Sequence, residues 1–477
     1  MDEPATNTTS RVVTGKIARR TVVVVAASVA TIAAALFVAG ALTAFAQRRV
    51  PDLGLFYATA SPEHQDEALR RLQEVWRDGY AGILLDVARF LPPTDRRRIL
   101  AFLESQSGER VGQDLDAWRQ WLWKQPYDSH PDYALFKNVL YGQLDPRFRA
   151  FFPRGVQSLI RLDEIDWGGV PVNGIPPLEY PAFLAAREAT YLDDDNIVFG
   201  IAVNGEARAY PKRILAWHEM ALDRVGGVEL TVVYCTLCGT VIPYDSVVNG
   251  RHIRFGTSGL LYRSNKLMFD HETNSLWATL EGRPVVGALV GTGLQLRPRA
   301  VVTTTWSEWR THHPETTVLS LETGHVRDYS EGAAYRDYFA TDGLMFQVPG
   351  DDARLMNKDE VLVMRLSRPS RGSPQPLTIA ARLLARNRVY QTEVAGVLLV
   401  VVTSPAGANR VFEAGDERFV RPLSLDRVAD AAGREWRVTE EALVLDADPG
   451  VARPRVPAQR AFWFGWRAQF PDTVLIE

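Results

Sequence analysis

Residues 231–245 read TVVYCTLCGTVIPYD, two apolar runs that flank a C-x-x-C turn followed by glycine. Valine, isoleucine and tyrosine dominate both runs, a composition typical of strands. Gly239 can adopt the left-handed backbone conformation that turns main-chain amides toward the sulfurs. The stretch therefore predicts a strand, a tight turn and a second strand, with no helix after Cys238.

The same pattern continues on both sides of this stretch. Beyond about residue 155, short apolar runs alternate with turns rich in glycine, proline, asparagine and aspartate. A helix is expected at Pro211–Asp223, because Pro211 suits the first helical position. Strands are expected at 196–203, 229–234, 241–247, 251–255 and 285–289.

An internal repeat organises this β-rich region. Residues 207–210 and 225–227 recur at an offset of 169 in 376–379 and 394–396, and the strand 230–234 matches the longer strand 397–403, whose end keeps the same offset. WSEWRTHHPET (306–316) also matches WFGWRAQFPDT (463–473). We expect repeat one at 160–345 and a degenerate repeat two at 355–477. Cys235, Cys238 and His218 align with Ser404, Gly407 and Asn387. Repeat one is thus predicted to hold the functional site, and repeat two to be chiefly its packing partner.

Residues 61–150 have a helical pattern instead. Apolar residues recur at helical spacing after Ser61-Pro62, after Pro92-Pro93 and through the tryptophan-rich segment 116–123. Short antiparallel helices of this kind indicate a small all-α module, which we expect to be able to dock a protein partner.

The N-terminus differs from the rest of the chain. Residues 1–20 form a polar, basic stretch that we expect to be a disordered cytoplasmic tail, and Thr21–Ala46 contains no charged residue. That length is enough for a single membrane span, which needs about 20 apolar residues. Ala44-Phe45-Ala46 also fits a signal-peptide cleavage site, the alternative interpretation. Either way the bulk of the chain is expected to be extracytoplasmic. As an uncleaved single-pass anchor, which the length of the run favours, the segment would hold the protein at the cell membrane.

Composition excludes one class of partner. The 477 residues are 46% hydrophobic and carry a formal net charge of −3, so the chain lacks the basic surface that nucleic acid requires. Overall, the sequence predicts an α+β fold: an N-terminal transmembrane helix, a small all-α module and two tandem β-rich pseudo-repeats.

The two cysteines of the quoted stretch are the only ones in the chain. Such a pair can ligate a metal, cycle between thiols and a disulfide, or form a disulfide that braces a hairpin. The turn is similar to the knuckle of rubredoxin and zinc ribbons, whereas a thioredoxin-type pair precedes a helix. Copper(I) or zinc would suit two thiolates and an imidazole.

Further ligands must come from elsewhere in repeat one. His218, on the predicted helix at 211–223, is the first candidate for a metal ligand beside Cys235 and Cys238, and His271 is the second. The segment 255–266 combines glycines, hydroxyls and basic residues, and it could hold an anion or form an ordinary hairpin. The side chains expected to line the pocket or to support the ligands are Tyr210, Glu219, Tyr262, Arg263, Asn265, Asp270 and His271.

A family resemblance rests on motifs that follow one another in order. They are YLDDD (191–195), NGEARAYP (204–211), WHE (217–219), YCTLCGT (234–240), FGTSGLLY (255–262) and DHETNSLW (270–277). Over roughly residues 160–477 the chain resembles the family called domain of unknown function 3179. Thr236 stands where that family usually has proline, and His271 where it often has arginine, which weakens His271 as a ligand. The resemblance implies no activity.

Three functions follow as expectations. The first is a site on repeat one that binds a soft or borderline transition metal through Cys235, Cys238 and His218. The second is an extracytoplasmic thiol–disulfide oxidoreductase, and the third is a non-catalytic interaction scaffold with a structural disulfide.

Overall fold

The structure is a computed structural model that describes residues 50–368 and 371–477. The tail predicted at 1–20 and the transmembrane run predicted at 21–46 lie outside the described residues.

Helices dominate the first hundred described residues, and short helices recur later. Pro93 occupies the first turn of the longest helix, and the Asp114 carboxylate caps another by accepting hydrogen bonds from the amides of Asp116 and Ala117. The helices are α1 (Leu53–Ala58), α2 (Gln65–Gln73), α3 (Ala81–Arg89), α4 (Pro93–Ser107), α5 (Leu115–Lys124), α6 (Tyr133–Gly142), α7 (Lys212–His218), α8 (Trp306–His312), α9 (Arg336–Phe339), α10 (Ala381–Arg386) and α11 (Trp463–Gln469).

Strands make up most of the remainder. Those of repeat one are β1 (Ile165–Trp167), β2 (Leu178–Glu179), β3 (Phe183–Ala185), β4 (Ile197–Val203), β5 (Glu206–Pro211), β6 (Met220–Val225), β7 (Val228–Cys235), β8 (Thr240–Asp245), β9 (Val247–Val248), β10 (Arg251–His252), β11 (Phe255–Tyr262), β12 (Asn265–Asp270), β13 (Leu276–Ala278), β14 (Arg283–Val286), β15 (Val302–Thr305) and β16 (Thr317–Leu319). Those of repeat two are β17 (Glu360–Arg368), β18 (Arg371–Ala380), β19 (Val389–Val394), β20 (Val397–Thr403), β21 (Asn409–Glu413), β22 (Phe419–Pro422), β23 (Arg427–Asp430), β24 (Glu435–Val438), β25 (Ala442–Leu445), β26 (Ala452–Val456), β27 (Gln459–Phe462) and β28 (Val474–Ile476).

The two repeats use the same sheet order. One sheet of repeat one runs β15-β4-β5-β16, with β3 at its edge, and its counterpart in repeat two runs β27-β17-β18-β28. In both, the last strand of the series lies parallel to its neighbour. A second sheet, β2-β6-β7-β8, corresponds to β19-β20-β21 within a larger eight-stranded sheet. The cysteine turn joins β7 to β8, as its sequence predicts.

The predicted fold class is wrong as stated. Among residues 50–368 and 371–477, no helix has both the length and the apolar character needed to cross a bilayer. Nor are the helices segregated from the sheets, because one hydrophobic core contains Leu84 and Trp118 of the helical region together with Leu267 and Phe269 of β12. The fold is therefore mixed α/β with a β-rich C-terminal region.

Ion pairs strengthen the contact between the helical region and the sheets. Arg89 and Arg119 both bind Oδ1 of Asp166 on β1, at 2.5 and 2.6 Å. Arg263, in the turn between β11 and β12, binds Glu164 at 2.7 Å and donates to the carbonyl of Ala468 at 2.6 Å. This turn is consequently fixed from both sides.

Two helix boundaries differ from the sequence prediction. The helix expected after Ser61 begins at Gln65, because residues 61–64 form turns. The helix expected at 211–223 ends at His218, since Glu219 adopts φ +57° and terminates it, and the chain continues as β6. That early termination directs Glu219 and His218 into different surroundings.

Candidate functional site

The C-x-x-C turn holds both thiols in one compact structure. The amide of Cys238 donates to the carbonyl of Cys235 at 3.2 Å, and Gly239 adopts φ +61°. Both cysteines are free, and their exposed fractions are 2% and 0%. A turn of this kind keeps the two Cα atoms within about 7 Å, the range in which a disulfide can form.

Cys235 is the more acidic of the two thiols. Burial and the charge of Glu219 would raise its pKa, but the neighbouring Cys238 side chain and the amides of Lys266 and Cys238 outweigh them and lower it. The pKa of Cys238 is raised, first by burial and then by the neighbouring Cys235 side chain. The pair therefore favours a thiolate on Cys235 that Cys238 stabilises.

The hairpin β11–β12 supplies the partners of Cys238. Nδ2 of Asn265 donates to the Cys238 sulfur at 3.2 Å, and that thiol donates to the carbonyl of Ser264 at 3.4 Å. Arg263 and Ser264 form a two-residue turn with φ +50° and +60°. Left-handed backbone at two consecutive non-glycine residues costs about 1–3 kcal/mol each, and strain of this kind clusters at functional sites.

A buried ion pair lies next to Cys235. Nζ of Lys266 donates to the carbonyl of Glu219 at 2.9 Å and lies 3.4 Å from its carboxylate. Burial lowers the pKa of Lys266, while the charges of Glu219 and Cys235 partly oppose that effect. Glu219 and Tyr335 both have φ +57°, which adds two more strained residues to the same place.

A small cavity borders this ion pair. It measures about 50 Å³, and Glu219, Lys266, Leu237 and Tyr335 line part of it. Two buried hydroxyls close to the cysteines, on Thr236 and Ser264, have no hydrogen-bond partner. An unpartnered buried hydroxyl costs about 1–3 kcal/mol, so this arrangement is not the one that stability alone would select.

The segment between β16 and β17 covers the cysteine turn. Tyr338 donates its hydroxyl proton to the carbonyl of Leu237 at 2.8 Å, and Phe346 and Val348 pack in the same apolar cluster as both cysteines. Lys358 binds the carbonyl of Tyr338 and holds the segment in place. Reagents reach the sulfurs only when this cover segment, residues 335–348, moves.

Repeat two forms the opposite wall of the site. The amide of Phe462 donates to the carbonyl of Cys238 at 2.8 Å. Gly465, on α11, approaches so closely that a Cβ there would lie 2.9 Å from Cβ and 3.0 Å from Sγ of Cys238. Only glycine leaves this space free, so the site is built from both repeats.

A family model matches residues 172–473, more than half of the chain, and its description is "Protein of unknown function (DUF3179)". The chain belongs to the DUF3179 family. Neither the curated proteins nor the solved structures contain a match.

Within the DUF3179 region, the structure does not bring His218 to the sulfurs. Its Nδ1 lies 2.9 Å from the carbonyl of Pro176 and its Nε2 lies 2.6 Å from the hydroxyl of Tyr329. Burial lowers its pKa to about 4. Among the residues that the structure describes, no group of three histidine, cysteine, aspartate or glutamate side chains could hold a metal ion.

The other predicted site residues of the DUF3179 region fall into two groups. Glu219 and Asn265 lie at the cysteines, and Arg263 supports the turn that carries Asn265. Elsewhere, Tyr210 binds Asp223 at 2.5 Å, and Asp270 caps the turn after β12 through Thr273 and binds Trp277. His271 packs its ring on Phe269, and Tyr262 belongs to the core shared with the helices.

Sequence reasoning missed the strongest contributors from outside the motif. Lys266 lay at the end of the glycine-bearing segment and was not singled out as a partner of Cys235. Tyr335 and Tyr338 lie in a segment without a recognisable pattern. Gly465 could have been noticed, because the matched segments WSE and WFG place it opposite Glu308.

Proposed function

We propose that the DUF3179 region of this protein carries a dithiol that exchanges with disulfides, with Cys235 as the attacking thiolate and Cys238 as the resolving thiol. The observation that carries the proposal is the pairing of two free, buried thiols in one turn, where the Asn265 amide and the Ser264 carbonyl hold the Cys238 sulfur and the pKa of Cys235 is lowered while that of Cys238 is raised. Thiolates are the reactive form of cysteine, and donors to one sulfur select which thiol reacts first.

The exchange transfers two electrons from the dithiol to a substrate disulfide. The Cys235 thiolate attacks one sulfur of a substrate disulfide, and the other substrate sulfur leaves as a thiolate. The Cys238 thiol passes its proton to that leaving thiolate and attacks Cys235, which releases the second substrate sulfur as a thiolate. The products are a Cys235–Cys238 disulfide, one substrate thiol and one substrate thiolate, which takes its proton from water.

The surroundings of the pair support chemistry over bracing. A structural pair would not need a buried lysine–glutamate ion pair beside it. Repeat two keeps the corresponding turn as residues 404–408 without any thiol, so the fold itself does not require sulfur there.

The test is a redox titration of the full chain combined with trapping. We expect a reversible disulfide with a potential between about −180 and −300 mV, because structural disulfides lie below about −300 mV. Reduced Cys238→Ser should retain a mixed disulfide with 5-thio-2-nitrobenzoate on Cys235, and Cys235→Ser should not. Thr236→Val, which leaves both thiols in the turn, is the matched control and should behave as wild type.

Failure would take one of two forms. A potential below about −300 mV would assign the pair to bracing, the scaffold alternative. Equal trapping by both serine variants would remove the assigned roles of attacking and resolving thiol.

Copper(I) held between the two thiolates is a second candidate. One observation favours it over zinc: two adjacent sulfurs are present without a third ligand among the described residues, and zinc sites supply three or four protein ligands. Elemental analysis of the reduced chain after incubation with copper(I) or zinc tests it. One copper and no zinc per chain would support it, and no copper would exclude it.

A further inference from the structure

A second cavity lies between the two repeats, and neither cysteine lines it. It measures about 470 Å³, within the range of small-molecule sites. Leu280 and Leu296 of repeat one line one side, and Val397 and Val456 of repeat two line the other. None of the residues assigned above to the dithiol site takes part.

Arg365, on β17, brings a positive charge to this cavity. Its Nη1 donates to the carbonyl of Glu281 at 3.1 Å, and its guanidinium lies over the Phe470 ring at 5.4 Å. None of the carboxylates that the structure describes comes within ion-pair distance of it. Burial lowers the pKa of Arg365, and the charge of Glu281 opposes that effect only in part.

Arg455, on β26, adds a second guanidinium to the same lining. Its side chain is only 6% exposed, and its Nη1 donates to the Glu440 carboxylate at 3.0 Å. Glu440 is shared with Arg410 at 2.7 Å. Nε of Arg455 is buried and has no hydrogen-bond partner. Burial lowers the pKa of Arg455 to about 10, so it stays charged at neutral pH.

The acidic groups of the lining do not offset these two arginines. Glu281 is bound by its own partner, Arg283, at 2.6 Å. Glu413 is exposed and lies at the end of β21. The interior of the cavity therefore combines aliphatic walls with the Arg365 guanidinium, which has no carboxylate at ion-pair distance among the described residues.

We propose that this cavity binds an organic anion, with its carboxylate against Arg365 and its apolar body against Leu280, Leu296 and Val456. A planar guanidinium matches a carboxylate, and the desolvated setting strengthens each charge-assisted hydrogen bond. The aliphatic walls select a carboxylate that carries an apolar body over an inorganic anion.

Calorimetric titration of the full chain with octanoate, and separately with inorganic phosphate, tests the proposal. We expect octanoate to bind at least tenfold more tightly than phosphate. Arg365→Gln should weaken octanoate binding about 10- to 100-fold, the usual effect of losing a hydrogen bond to a charged group. Arg382→Gln is the matched control, because Arg382 is half exposed and pairs with Glu477 outside the cavity.

Three results would overturn the assignment: no octanoate binding, equal binding of octanoate and phosphate, or unchanged binding in Arg365→Gln. Arg365→Lys guards against loss of fold, since it keeps the charge. It should bind octanoate more tightly than Arg365→Gln.

Discussion

Replacing Gly465 with alanine tests the contact between repeat two and the cysteine turn. The added methyl carbon would lie 2.9 Å from Cβ and 3.0 Å from Sγ of Cys238. Carbon atoms at optimal contact are about 3.5–4.0 Å apart. Either Cys238 or α11 must therefore move by roughly half an ångström or more.

Two opposing effects set the change in stability. Overpacking of a core costs about 1–3 kcal/mol, while alanine in place of glycine inside a helix gains about 1 kcal/mol. The free energy of unfolding should thus fall by about 0–2 kcal/mol, and the variant should still fold. Urea denaturation of the reduced protein measures this change.

The thiol chemistry should respond more specifically. Cys238 is held by the Asn265 amide at 3.2 Å. Because the Cys238 side chain lowers the pKa of Cys235, its displacement raises that pKa. The midpoint of the pH dependence of iodoacetamide alkylation, assigned to Cys235 by mass spectrometry, should therefore move to higher pH.

The midpoint is the decisive quantity because opening of the cover segment changes the rate at every pH alike. Gly343→Ala is the control, since its nearest neighbour would be the Thr341 hydroxyl at 3.5 Å. If Gly465→Ala gains about 1 kcal/mol in stability and keeps the wild-type midpoint, the close contact with Cys238 does not exist.

Two further predictions concern the cover and His218. Phe346→Ala should speed alkylation of the cysteines at least tenfold without moving the midpoint, because Phe346 packs in the same apolar cluster. Val326→Ala is the control, since that residue is 95% exposed. An unchanged alkylation rate for Phe346→Ala would show that residues 335–348 do not cover the cysteines. Burial lowers the pKa of His218 to about 4, so between about pH 6.5 and 4 the unfolded chain binds a proton there that the folded chain does not. The contribution of His218 to the free energy of unfolding is fully present above pH 6.5 and is lost as the pH falls. From pH 7 to pH 5 the free energy of unfolding should therefore decrease by about 1–2 kcal/mol. Urea unfolding at both pH values should show a smaller decline for His218→Gln than for wild type, and equal declines would contradict this assignment.

Local patterns predicted the cysteine turn well. Apolar runs rich in valine, isoleucine and tyrosine form β7 and β8, and Gly239 takes the left-handed conformation that the turn requires. These features depend on residues close in sequence, whose preferences act over a few bonds. The sheet orders of the two repeats likewise follow from apolar runs that recur in the same order.

Long-range contacts account for what local patterns missed. The pattern of Pro211–Asp223 fits a helix throughout, yet pairing of β6 with β7 wins for its second half and leaves Glu219 as the terminating residue. The histidine that seemed available as a ligand is instead held by Pro176 and Tyr329. Neither outcome is encoded by spacing, because tertiary packing overrides helix propensity.

The exchange of end helices between the repeats explains why a copy without cysteine is still part of the site. The Glu308 carboxylate, on α8 of repeat one, accepts a hydrogen bond from the amide of Ala406 at 3.3 Å. Ala406 lies in the turn of repeat two that corresponds to the cysteine turn. The matched position on α11 is Gly465, which meets the cysteine turn of repeat one. Each end helix thus packs on the turn of the other repeat. Glu308 occupies the space beside the turn that lacks sulfur, whereas Gly465 leaves the matching space free for Cys238.

This reciprocity makes repeat two a requirement of the dithiol site rather than a passive relic. Without α11 and the amide of Phe462, Cys238 would lose its wall and the hydrogen bond to its carbonyl. The Cys238 sulfur could then move away from Cys235, and the pKa of Cys235 would rise. The copy without thiols therefore shapes, through its end helix, the space in which the sulfurs of the other copy lie.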